Sequence, residues 1–100
     1  IKIRKNMGWC NDISFPKKYN KLIKIEKKIK YEKLKRKDSK YDFLIPIKYN
    51  FKKPVPGLGS CIFIHLTKDY KPTAGCVALK EKDFLIMLKL IKKNSRIKIF

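Results

Sequence analysis

The sequence predicts a mainly β domain with one prominent α-helix. Short apolar runs alternate residue by residue and are broken by Pro- and Gly-containing turns, as in Ser60-Cys61-Ile62-Phe63-Ile64-His65-Leu66. Only one stretch repeats apolar residues at helical spacing, with Phe84, Leu85, Leu88 and Ile91 on one stripe. The chain is 100 residues long, and a chain of that length buries only about two-thirds of its unfolded surface. Residues 1–100 are therefore expected to form a single domain around one modest core.

The N-terminal Ile1-Lys2-Ile3-Arg4 reads as a strand or the run-in to one, and a chain that opens on Ile1 rather than Met is expected to be a segment of a longer polypeptide. Residues 6–20, NMGWCNDISFPKKYN, have the Asn, Gly, Asp and Pro content of a loop, with Trp9 and Tyr19 as anchors. The basic run over residues 24–37 alternates like a short solvated helix or an edge strand. Residues 41–49 form an apolar run expected to be a buried strand, which Pro46 pushes toward an edge or a bulge. KKPVPGLGS is a turn, and Gly57 and Gly59 release the chain into the strand over residues 60–66. Alternation there puts Cys61, Phe63 and His65 on one face and Ile62, Ile64 and Leu66 on the other. After a turn at 69–72, residues 73–79 lead into the helix, with Glu81 and Asp83 near its positive N-terminal end. Ile97 and Ile99 are expected to close the chain as a last strand, giving the order β-turn-β-helix-β with Cys76 on the turn side of the helix.

The formal charge is +19, from 27 basic against 8 acidic residues. Lysine supplies nearly all of the positive charge, whereas a nucleic-acid surface draws on arginine, whose planar fork matches phosphate and base edges. The main reading is a solvated basic face, and no nucleic-acid partner is expected. A non-catalytic basic module that binds a polyanion such as nucleic acid stands as the alternative function. No apolar run approaches the roughly 20 residues that cross a bilayer, so no membrane span is expected in this segment. No signal peptide is visible at its start.

The chemistry centres on HLTKDYKPTAGC, where the only histidine, His65, precedes Gly75-Cys76. A free thiol is only a few per cent thiolate at neutral pH, so nucleophilic catalysis needs a base in reach, which an imidazole supplies. Glycine before the cysteine lets the backbone approach a substrate carbonyl, and amides around Gly75 and Cys76 can face a developing oxyanion. On spacing alone the pair fits a buried thiol and a structural strand-end histidine equally, and both readings stay open. Cys10, Cys61, His65 and Cys76 could make up a Cys3His zinc set, but the paired Cys-x2-Cys spacing that marks such sites is missing, so no metal and no cofactor are expected. Cys10 and Cys61 read as structural thiols. The carboxylates form no acid/base pair, and there is no Gly-rich phosphate loop.

The stretch GLGSCIFIHLTKDYKPTAGCVALKEKDFLIMLKLI resembles the active-site region of the L,D-transpeptidase (YkuD/ErfK) family, in the branch where a G-S-x-I-F-x-H strand is followed by P-T-x-G-C-V-A-L and a helix. MGWCNDISFPKKYNKLIKI and KYDFLIPIKYN also resemble that branch, so the likeness spans nearly the whole chain, with PTAGCVAL its most specific part. The resemblance implies a β-rich YkuD-like catalytic domain lacking its first strands. It implies a cysteine acyltransferase acting on peptidoglycan stem peptides in the periplasm or cell envelope of a bacterium. Cys76 matches the nucleophile that attacks a stem-tetrapeptide carbonyl and releases the terminal D-Ala, His65 matches the general base, and Gly75 with Thr73 match the turn that presents the thiol and the oxyanion amides. The sequence departs from the common S/T-H-G-C motif in having Ala74 for the second histidine. It also has Ala78-Leu79 after the cysteine and only ten residues between base and nucleophile.

Overall fold

The computed structural model describes residues 1–98. They form two three-stranded sheets and one helix, the mainly β, single-helix architecture that the sequence predicts. In the first sheet, β1 (Met7–Cys10) lies between β2 (Leu22–Lys24) and β3 (Tyr31–Lys33), antiparallel to both. One expectation is corrected here, and for the basic run the edge-strand alternative holds over the helical one. Residues 7–10 are the central strand of a sheet rather than loop, because the Gly in their midst serves close packing. A Cβ on Gly8 would stand 2.9 Å from the Tyr31 ring. The basic run is not helical either. Its buried apolar residues, Ile29 and Leu34, are five apart, a spacing that a 3.6-residue period cannot keep on one face. It folds instead as strand, turn and strand, the turn held by Asp12, whose carboxylate accepts the Lys30 and Ser14 amides at 2.9 Å each.

The second sheet has the order β4-β5-β6, with β4 (Leu44–Pro46) antiparallel and β6 (Val77–Leu79) parallel to the central β5 (Phe63–Leu66). Both flanking apolar runs shorten, the one over 41–49 to 44–46 and the one over 60–66 to 63–66. Pro46 sits on an edge strand, as a residue without an N–H must. Residues 73–79 lead into the helix through β6, the second strand of the expected β-turn-β-helix order, and Cys76 lies at its entry.

All four residues of β5 are buried, and alternation along it separates two cores. Phe63 faces Trp9, Leu34, Tyr41 and Cys61, joining the two sheets. Its ring stands edge-on to Trp9 at 5.2 Å and to Tyr41 at 5.7 Å. Ile64 and Leu66 face the other way, onto Phe84 of α1 (Glu81–Leu90). Of the apolar helical stripe, Phe84 alone is fully buried, while Leu85, Leu88 and Ile91 are each about 40% exposed, so the helix meets the sheet along a narrower seam than its sequence suggests. Trp9 is fixed by a 2.8 Å bond from its indole N–H to Asn20 Oδ1. The Asn20 amide in turn donates to the Tyr49 and Asn50 carbonyls at 3.0 and 2.6 Å. Ile3 packs on the first core, but residues 1–4 are not a strand. Ile97 lies in no strand either, and Ile99 is outside the described residues.

Candidate active site

The parallel pairing of β5 with β6 positions the two residues of interest. Its register sets Ile64 opposite Val77 and His65 opposite Ala78. Residues opposite one another in a ladder share a face, so one step back along β6 brings Cys76 beside Phe63 on the face that His65 occupies. Cys76 accordingly packs against the Phe63 core. The ten residues between the strands, 67–76, form the loop that returns the chain, and its end is held by Thr73, whose hydroxyl donates to the Cys76 carbonyl at 2.6 Å. Gly75 has φ +129, and a Cβ there would meet nothing closer than Ile62 Cδ1 at 3.7 Å. Its backbone conformation, not its lack of bulk, is what demands glycine.

His65, Cys76 and Thr73 line one open cleft of about 980 Å³, together with Cys61, Tyr41 and Glu32. Gly75 is not part of that lining. His65 is buried, with Nδ1 2.7 Å from the Leu66 carbonyl oxygen. A carbonyl only accepts, so Nδ1 carries the hydrogen and Nε2 is left as the ring's acceptor, the form a general base requires. The imidazole also stands at an angle to the Tyr41 ring, centroids 5.4 Å apart. No hydrogen bond joins Cys76 to His65. The Cys76 thiol donates instead to the Cys61 carbonyl at 3.2 Å, which Cys61 presents from a left-handed backbone, φ +60. A non-glycine residue in that region is strained by about 1–3 kcal/mol.

Burial pushes the Cys76 thiol above its ordinary value, the Phe63 amide opposes that, and the Glu32 carboxylate adds to it. The Cys61 thiol is pushed up to about 12, first by burial. Neither thiol is ionised in the resting protein at neutral pH. Cys10 is fully buried, and its carbonyl accepts the Ser60 hydroxyl at 2.7 Å. All three cysteines are free thiols, and among the described residues no three His, Cys, Asp or Glu side chains are grouped to hold a metal.

The cleft also contains groups that sequence reasoning missed. The Tyr41 hydroxyl donates to Glu32 Oε1, the Arg36 guanidinium lies 5.1 Å above the Tyr41 ring, and Asp38 grips Arg36 with two bonds of 2.8 and 2.7 Å. Glu32 sits inside the basic run, where the surrounding lysines conceal it and Glu26. Tyr41 begins an apolar run and is indistinguishable there from a core aromatic. The Leu66 carbonyl has no sequence signal at all.

Neither the curated proteins nor the solved structures contain a match to this chain. The model of the YkuD L,D-transpeptidase catalytic domain matches residues 5–99, nearly the full length. The resemblance in PTAGCVAL is thus part of a likeness that takes in both sheets and the helix, and the chain belongs to the YkuD family of L,D-transpeptidase catalytic domains.

Proposed function

We propose that the chain catalyses cysteine-dependent acyl transfer on peptidoglycan stem peptides in the periplasm or cell envelope, with Cys76 as nucleophile and His65 as general base. The observation that carries the reading is the shared cleft, in which a half-buried thiol and an imidazole with its Nδ1 tied down lie on one face of the sheet. The thiol leaves the Cys61 carbonyl by rotation about its Cα–Cβ bond, breaking only a weak S–H hydrogen bond. His65 Nε2 takes the proton as sulfur attacks the carbonyl before the terminal D-Ala. Amides of the turn at Gly75 and Cys76 face the oxyanion, and Thr73 keeps that turn closed. The imidazolium then protonates the departing amine, leaving a thioester on Cys76. An acceptor amine attacks the thioester, loses a proton to His65, and the sulfur regains one as it leaves.

The deciding experiment is intact-mass analysis after incubation with a synthetic stem tetrapeptide. The expected product is an adduct of the tetrapeptide less D-Ala, mapped to Cys76 and absent from Cys76→Ala. Salt-dependent binding of a polyanion that survives Cys76→Ala, with no adduct on the unaltered protein, refutes the acyl-transfer reading in favour of a basic binding module.

A further inference from the structure

The acyl-transfer scheme leaves the charged side chains of the cleft without a task. Five of the eight carboxylates of the chain line this cleft, namely Glu32, Asp38, Asp42, Asp69 and Glu81, among five cations, Arg36, Lys37, Lys40, Lys68 and Lys71. Asp38 is bound to Arg36 and Asp69 to Lys71. Glu32 is different. Despite the surplus of lysine it makes no ion pair among the described residues, and its Oε1 is fixed by a neutral donor, the hydroxyl of buried Tyr41. Tyr41 itself is anchored by Phe63, His65 and Arg36 around its ring, and Arg36, although ion-paired to Asp38, is near enough to feel the charge of Glu32; the carboxylate is held in place without an ion pair of its own. It lies close enough to the two cleft thiols to oppose the ionisation of both. For a nucleophilic thiol that is a handicap, and a fixed anion is tolerable there only if something positive meets it during the reaction.

We infer that Glu32 receives the ammonium group of the acyl acceptor beside the Cys76 thioester and so selects an amine over water as the group that resolves it. The inference rests on the acyl-transfer reading. Of the substrate groups that can carry positive charge, the attacking amine is the one that must come within bonding distance of the carbon attached to the Cys76 sulfur. A carboxylate without an ion pair in the same cleft as that sulfur is therefore placed to concentrate the protonated amine where it reacts. Water gains nothing from the charge. The step balances as follows. The bound R–NH3+ gives one proton to His65 Nε2 and becomes R–NH2. Its nitrogen attacks the thioester carbon, the C–N bond forms and the C–S bond breaks. The imidazolium proton goes to the departing sulfur, and the second nitrogen proton passes through Glu32 to solvent.

The test forms the acyl-enzyme from a synthetic stem tetrapeptide and resolves it near neutral pH with methylamine, which is cationic there, or hydroxylamine, which is uncharged, water being present throughout. Acylation of the unaltered protein is checked first by intact mass. Its absence overturns the acyl-transfer reading itself, and a result on the product ratio bears on Glu32 alone. The ratio of methylamide to hydroxamate depends neither on how fast Cys76 is acylated nor on how much protein is folded. Glu32→Gln keeps an oxygen for the Tyr41 hydroxyl while removing the charge. It is expected to lower that ratio about tenfold, the worth of a charged hydrogen bond, with hydroxamate against hydrolysis unchanged. Glu32→Asp should recover part of the loss. A ratio within about twofold of the unaltered protein in Glu32→Gln overturns the inference. The unaltered protein supplies an independent check, since its ratio must exceed that of the same acyl group on a small free thioester, and equality also overturns it.

Discussion

Replacing His65 by alanine separates two ways in which a histidine can serve a thiol. In one, imidazolium and thiolate form a standing ion pair, and the cysteine is reactive toward any electrophile at neutral pH. In the other, the thiol stays protonated until a carbonyl is in place and the imidazole removes the proton during attack. The structure supports the second. The Cys76 thiol donates to the Cys61 carbonyl, not to His65, and burial with Glu32 nearby raises it above the ordinary value of 9.0. Iodoacetamide labelling of Cys76 should thus rise about tenfold per pH unit between about pH 7 and 9 without a neutral plateau, because the thiolate fraction does. His65→Ala should change that rate by no more than about twofold, yet lower tetrapeptide acylation by about 100- to 10,000-fold, the worth of a general base. Cys61 provides an internal control. With its thiol at about 12 against 9.0 for an unperturbed cysteine, its thiolate fraction at about pH 8 is about a thousandfold below that of an unperturbed thiol. Peptide mapping across the pH range reads all three cysteines in one experiment. A neutral plateau for Cys76 that disappears in His65→Ala would refute the reasoning and establish a preformed ion pair.

Three further outcomes follow from the packing. Phe63→Ala removes a fully buried ring shared by Trp9 and Tyr41 and should cost about 3–5 kcal/mol in urea unfolding, a large fraction of a small domain's stability. Gly75→Ala forces an L side chain to φ +129 and should cost about 1–3 kcal/mol, with a fall in Cys76 acylation larger than the stability loss explains. Stability should also fall as pH rises from 9.0 toward about 12, because the unfolded chain ionises the Cys61 thiol first while the folded state keeps it protonated. Below that window the contribution is fully present. Urea midpoints for Cys61→Ala should show a flatter alkaline slope than those of the unaltered protein.

What was legible in the sequence follows the distance over which each feature is decided. The turn around Gly57 and Gly59, the strand ending at His65 and the helix of Phe84 are written in neighbouring residues, and all three are present. The first sheet was not legible. Met7–Cys10 carries too few β-formers to stand out, and its place as a central strand comes from partners some 15 and 25 positions away, Leu22–Lys24 and Tyr31–Lys33. Tertiary pairing of this kind overrides local preference. The exposed side of α1 shows the converse, where periodicity in Leu85, Leu88 and Ile91 was real but the helix meets the sheet through Phe84, with Met87 packed beside it.

The same rule divides the candidate site. His65 and Cys76 were readable as a pair because β5 and β6 run parallel and are joined by a ten-residue loop, so that closeness in sequence becomes adjacency on one face. The rest of the cleft wall comes from far along the chain. Glu32 reaches it from the edge of the other sheet and Tyr41 from the turn before β4, brought together by the core around Phe63. Net charge actively concealed this part. A run of lysines announces a solvated basic face, and averaging over it hides Glu32, which lines the cleft of Cys76. A charge total describes how the molecule meets a distant polyanion across solvent. It says little about the field at one thiol in a cleft whose wall sets Glu32 among Arg36, Lys37, Lys40, Lys68 and Lys71, while lysines beyond a Debye length of about 8–10 Å are largely screened. Substitutions of lysines outside the cleft lining should therefore lower the overall charge and leave the chemistry of Cys76 largely intact, whereas those of Lys37, Lys40, Lys68 or Lys71 should not.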